Sequence, residues 1–329
     1  MRPGIGLAVA FLAAAWAAPA SAQCGRVSIA EMSWGSAAIL AHIEEIILSK
    51  GYGCRTELLP GDTVPTTTSM AGRGEPDVAP ELWINAARET IERAVQENRI
   101  RIAARIFPDG GEEGWYIPAY MLQKHPELTS LDAVLKRPDL FPDPESRGKG
   151  RFYTCPAGWA CQIVNDNLFR AYGLDKAGFV KFDPGSGEGL AAAIARAHQR
   201  KEPIFTYYFG PTAVLGRYPM HRLTGMTHDA TGWGCMSKPD CPDPRPNMYP
   251  PAEVIGAVTA RFAERAPDAF AFLQKVQFKN ETVSALLAWQ DERRARPAEA
   301  AKHFLATQPG VWDQWVPAEV AERVKKAVR

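Results

Sequence analysis

From Arg26 to Asn98 short β-prone runs alternate with helix-periodic ones, and this alternation constrains the fold more than any other feature of the chain. Arg26 to Met32 reads as a strand, followed by Ser33-Trp34-Gly35-Ser36 and an apolar-periodic run from Ala37 to Lys50. Ser36 suits a helix N-cap and Gly51 a helix stop. The pattern repeats with a strand from Cys54 to Leu59, a helix from Thr63 to Ala71, a strand from Asp77 to Leu82 and a helix from Asn85 to Asn98. Such alternation predicts an α/β fold with mostly parallel sheets, whose ligands bind beyond the carboxyl ends of the strands. Trp34 and Trp83 each stand at such an end, where an aromatic ring is poorly placed to fill a central core. Glu81 and Asn85 flank Trp83 and either orient it or form a solvated edge.

A second α/β segment follows a flexible polar stretch, Asp109-Gly110-Gly111-Glu112-Glu113-Gly114, which reads as a hinge leading into an extended crossing at Trp115 to Tyr120. Its expected elements are a helix at Leu131 to Leu135 and strands at Arg151 to Thr154 and Phe179 to Phe182. Further on come a helix at Leu190 to Gln199 and a β-prone run at Pro203 to Phe209. In that last run, alternation puts Tyr207 and Phe209 on one face and Tyr208 on the other. Asp183-Pro184-Gly185-Ser186-Gly187-Glu188-Gly189 looks superficially like a phosphate loop. Glu188 would repel phosphate and no lysine follows, so the expected role is to cap a helix and line a cleft. Residues 225–251 turn rich in Gly, Pro and Asp, Val254 to Thr259 reads as a returning strand, and the remainder is helical. Trp289, Trp312 and Trp315 fall at periodic apolar positions there and read as core.

Arg2, the apolar run from Ile5 to Ala18 and Ala20-Ser21-Ala22 form a signal peptide with an A-x-A cleavage site, which implies export. An oxidising compartment favours disulfides among the six cysteines, and spacing narrows the 15 possible pairings to Cys155 with Cys161 and Cys235 with Cys241, leaving Cys24 with Cys54. No C-x-x-C occurs and no histidine lies at ligand spacing, so no metal or other cofactor is expected. The 38 basic and 37 acidic residues balance, which argues against nucleic-acid partners or an anionic membrane surface. The six histidines are scattered, and no G-x-S-x-G or H-E-x-x-H is present, so an enzyme is not expected.

Cys155-Pro156-Ala157-Gly158-Trp159-Ala160-Cys161 places rigid backbone N–H donors beside an aromatic face, an arrangement suited to a small ligand with an anion at one end and a cation at the other. Read alone, the loop is equally a stapled surface turn with Trp159 packed beneath it. Together with Met32-Ser33-Trp34-Gly35-Ser36, Pro60-Gly61-Asp62-Thr63-Val64-Pro65-Thr66-Thr67, Pro80-Glu81-Leu82-Trp83 and Tyr207-Tyr208-Phe209-Gly210-Pro211-Thr212, it resembles the substrate-binding proteins of ABC importers for glycine betaine and related quaternary amines. The resemblance extends over essentially the whole mature chain. It implies a periplasmic two-lobed clamshell of type II with two hinge crossings, a monomer that serves an inner-membrane permease. The implied division is a signal peptide at 1–22, lobe I at 23–115, lobe II at 116–250 and the rest of lobe I at 251–329. Carried over by position, Trp83 and Trp159 resemble walls of an aromatic cage, Trp34 a further wall or lid, and the N–H groups of Ala160 and Cys161 a carboxylate site. Members of the family usually carry tryptophan where this chain has Phe209, so Tyr116 and Tyr207 are candidates for a further ring. The alternative ligand is an amino acid, a choline-like compound or a larger apolar one.

Overall fold

The computed structural model describes residues 24–85 and 87–329, and the expected signal segment 1–22 lies outside them. Two five-stranded sheets carry the fold. The first is ordered β2-β1-β3-β10-β4, from Arg55–Gly61, Arg26–Met32, Val78–Trp83, Val254–Thr259 and Ile100–Arg105. The second is ordered β7-β6-β8-β5-β9, from Phe179–Phe182, Gly150–Tyr153, Phe205–Gly210, Glu112–Pro118 and Met220–Arg222. β1 and β3 are buried almost throughout, as strands covered by helices on both faces must be.

Both sheets are mixed, not mostly parallel. β1 pairs in parallel with β2 and β3, and β6 with β7 and β8. β10 runs against both β3 and β4, and β5 against both β8 and β9. The reversed strands are those that carry the chain between the sheets: a strand arriving from the other lobe enters from the opposite end and pairs antiparallel. The chain leaves the first sheet after Arg105 and enters the second at Glu112, so the expected break at 115/116 falls inside β5. The two crossings touch, with Gly111 N–H donating to Ala252 O at 3.0 Å and Ala252 N–H to Gly111 O at 2.8 Å. Asn280 ties the outgoing crossing to lobe I, its backbone N–H bonded to the Asp109 carboxylate and its Nδ2 to Gly110 O.

All three expected disulfides are formed: Cys24–Cys54, Cys155–Cys161 and Cys235–Cys241. The first clamps the chain just ahead of the paired strands β1 and β2. The segment 225–251, expected to be irregular, contains a short helix, Ala230–Met236, capped by the Asp229 carboxylate. In the C-terminal part Trp312 and Trp315 are buried, and Trp315 meets Phe278 edge-on at 5.2 Å. Trp289 instead lies half-exposed, stacked on His303 at 3.9 Å.

Candidate functional site

The lobes meet where the ends of β1, β3, β6 and β8 face each other. Trp34 follows β1 and serves as the N-cap residue of the helix Gly35–Ile46. Trp83 is the last residue of β3. From the other lobe, Trp159 precedes the helix Ala160–Ala171, and Tyr207 and Phe209 project from one face of β8. These residues, with Ala160, Cys161, Thr63, Asn85, Glu113, Val164 and Tyr249, line a small cavity between the lobes.

The rings contact one another edge to face. Trp34 meets Trp159 at 5.2 Å, Trp159 meets Phe209 at 5.5 Å, and Phe209 meets Trp83 at 5.2 Å, with interplanar angles of 73°, 77° and 76°. Such near-perpendicular packing is the arrangement that aromatic quadrupoles favour. Trp159 is held by the opposite lobe as well: its Nε1–H donates to Ser33 Oγ at 2.9 Å, and the Ser33 hydroxyl donates to the Asp62 carboxylate. Gly158 beside it has φ +90°, a conformation that favours glycine, and a Cβ there would crowd the Asp62 carboxylate at 3.2 Å. Because the helix opens at Ala160, the N–H groups of Ala160 and Cys161 precede its first i→i−4 bond and point out of its positive end.

The polar end of the cavity centres on Glu113. β5 and β8 pair Glu113 with Phe209, which puts both side chains on the same face of the sheet. One Glu113 oxygen accepts from the Tyr207 hydroxyl at 2.7 Å and the other from Asn85 Nδ2 at 3.3 Å. Burial pushes the carboxyl up to about 7, against the lowering effect of those two bonds and of Arg222. Tyr249 approaches from the return segment, its hydroxyl donating to Asn165 Oδ1 at 2.9 Å.

Every residue expected at the ligand lines this cavity except Tyr116. Tyr116 pairs with Thr206, one position off the Glu113 and Tyr207 face, so strand alternation directs it away from the site. Burial raises its hydroxyl to about 12, in keeping with a core position. Asn85 was expected either to orient Trp83 or to form a solvated edge. Glu113 and Tyr249 were not expected at all: Glu113 lies in a glycine-rich acidic stretch that reads as a loop, and Tyr249 in a segment without periodicity. The one available signal was Glu113-Gly114-Trp115, an alternation that puts an acid on the same face as a large aromatic.

The family model for the substrate-binding domain of ABC-type glycine betaine transport systems matches residues 25–307. The chain belongs to that family. As such it is the substrate-binding component of an ABC-type transport system. Its sequence is 24% identical over 292 residues to the trimethylamine N-oxide-binding protein of Pelagibacter ubique (strain HTCC1062), a match covering 85% of this chain and 87% of that protein. Among solved structures it is similar to the glycine betaine/L-proline-binding protein (ProX) from Borrelia burgdorferi, at 17% identity and a TM-score of 0.73, covering 91% of this chain and 99% of the other. An ABC-transporter choline-binding protein in complex with choline gives 18% identity and a TM-score of 0.73, covering 93% and 99%. These likenesses establish the two-lobed type II binding-protein fold. In this binding protein the lobes are in contact across the cleft, since Val64 N–H of one donates to Gly158 O of the other at 3.2 Å.

Proposed function

We propose that this protein captures a compact trimethylammonium compound, with trimethylamine N-oxide the best fit, and delivers it to an inner-membrane permease. The observation that carries the reading is a small cavity walled by Trp34, Trp83, Trp159 and Phe209, with one buried carboxyl, Glu113, at its polar end. A trimethylammonium group donates no strong hydrogen bond, so π-faces and desolvation must recognise it, each ring contact contributing roughly 0.5–2 kcal/mol. An N-oxide oxygen is a compact, strong acceptor. A carboxyl raised to about 7 carries, through the lower part of the neutral range, a proton it can donate to that oxygen. The similarity to a trimethylamine N-oxide-binding protein supports the same class. On this reading the segment 1–22 directs export to the periplasm, the chain acts there as a monomer, and binding and release involve no chemical step, metal or cofactor.

Calorimetric titration with trimethylamine N-oxide, choline, glycine betaine and carnitine at pH 6 and pH 8 tests the proposal. Trimethylamine N-oxide is expected to bind tightest. Its affinity is expected to fall about tenfold from pH 6 to pH 8, because the protonated fraction of a group titrating near 7 falls by about that factor. Failure of all four to bind would sink the ligand class, and tighter binding at pH 8 would assign Glu113 the role of counter-ion instead.

A further inference from the structure

Glu81 touches two walls of the cage without lining the cavity. It is fully buried on β3, and its Oε1 accepts from Trp34 Nε1 at 2.6 Å, Trp83 Nε1 at 2.8 Å and Ser36 Oγ at 2.9 Å. The edge-to-face series from Trp34 through Trp159 and Phe209 to Trp83 is thereby closed into a ring, with Glu81 as the link between its two ends. Its Oε2 has no hydrogen-bond partner among the described residues.

Satisfying two indole N–H groups does not require a charge, since a neutral carbonyl oxygen accepts equally. An anion buried away from water is costly unless paired, and no basic side chain bonds to Glu81 among the described residues. Burial raises the Glu81 carboxyl above its ordinary value, and the bonds from Trp34, Trp83 and Ser36 act against that, since three donors converging on one oxygen favour a carboxylate. An indole that donates to a carboxylate is polarised toward its ring, and in a low-dielectric surrounding the charge behind the ring attracts a cation in front of it.

We propose that Glu81 is a positioning residue that fixes the Trp34 and Trp83 rings by their N–H groups and holds a negative charge behind both, which raises the cage's affinity for cations. This rests on the proposed trimethylammonium site. In lobe I the half-cage is therefore assembled before the lobes close, whereas Trp159 gains its Ser33 partner only on closure.

Full-length mature protein carrying Glu81→Gln or Glu81→Leu decides the matter, with circular dichroism and thermal unfolding as checks on folding. Choline and its neutral carbon analogue, in which C replaces the charged N, are titrated into each variant. Glu81→Gln keeps an acceptor of the same shape and removes the charge; it is expected to weaken choline about tenfold and the neutral analogue less than about threefold. Equal losses for both ligands, or none, would overturn the charge. Indole N–H exchange by NMR needs no ligand: Glu81→Leu is expected to accelerate exchange at both Trp34 and Trp83, and unchanged exchange would overturn the positioning. Should the unaltered protein bind neither these ligands nor trimethylamine N-oxide, the trimethylammonium reading fails while the exchange measurement still decides whether Glu81 fixes the rings.

Discussion

Trp159 is fixed from several directions at once. Its N–H is held by Ser33 of the facing lobe, its ring meets Trp34 and Phe209 edge-on, and its backbone opens the helix whose first N–H groups reach the cavity. Truncation removes a cage wall, two aromatic contacts and an interlobe hydrogen bond together. Trp159→Ala is therefore expected to weaken trimethylamine N-oxide binding at least about 100-fold, roughly 3 kcal/mol, while the thermal midpoint of the ligand-free protein drops only a few degrees. Calorimetry and a melting curve check both, and unaltered affinity would remove the cysteine loop from the site. The aromatic residues lining the cavity were legible in the sequence because tryptophans at strand ends are poorly placed to fill a central core, and because the motifs around Trp159 and Phe209 resemble those of a known family. Glu113 and Tyr116 were not, because which of two neighbouring residues faces the cleft depends on the register of β5 against β8, and register is a long-range property.

Among the elements, the helix Gly35–Ile46 carries a cost that its sequence does not display. Glu44 is 2% exposed, its Oε2 has no partner among the described residues, and burial pushes its carboxyl up to about 8. A carboxyl whose folded pKa lies above its unfolded one stabilises the fold less as pH rises from the unfolded value toward 8. At pH 7 the penalty is on the order of 3 kcal/mol. Glu44→Leu is expected to raise the thermal midpoint by several degrees at pH 8 and by less at pH 5. A variant less stable than the parent at pH 8 would show that an unseen partner satisfies the carboxyl. Elements with strong periodicity, such as β1, Phe179–Phe182 and Val254–Thr259, emerged with the expected bounds. β4 did not, since Ile100–Arg105 is a short edge strand interrupted by Arg101 and closed by Arg105, and it leaves Ile102 45% exposed. The mixed character of the sheets was hidden for a related reason: local pattern marks a strand but not its direction.

At the scale of the whole molecule, function depends on how closely the lobes approach, and one close approach is made at a glycine. Gly187 begins the helix Gly187–Arg200 of lobe II, which Ser186 caps by accepting from Gly189 N–H. A Cβ at Gly187 would lie 2.9 Å from the Trp159 ring and 3.0 Å from the backbone oxygen of Ser33 in lobe I. The ring can rotate aside only by leaving its Ser33 bond, and the backbone oxygen cannot yield without shifting the start of the helix Gly35–Ile46. The exposed Arg217–Asp291 ion pair that also bridges the lobes is of the kind that contributes about 0–1 kcal/mol, too little to offset such a clash. Gly187→Val is therefore expected to fold normally yet hold the lobes apart. Small-angle scattering should show a radius of gyration that no longer shrinks on adding ligand, and affinity should fall at least about tenfold, because the cage halves no longer meet. Unaltered compaction and affinity in this variant would mean that the lobes close by a path that spares Gly187, and that the Trp159–Ser33 contact is not what closure has to preserve.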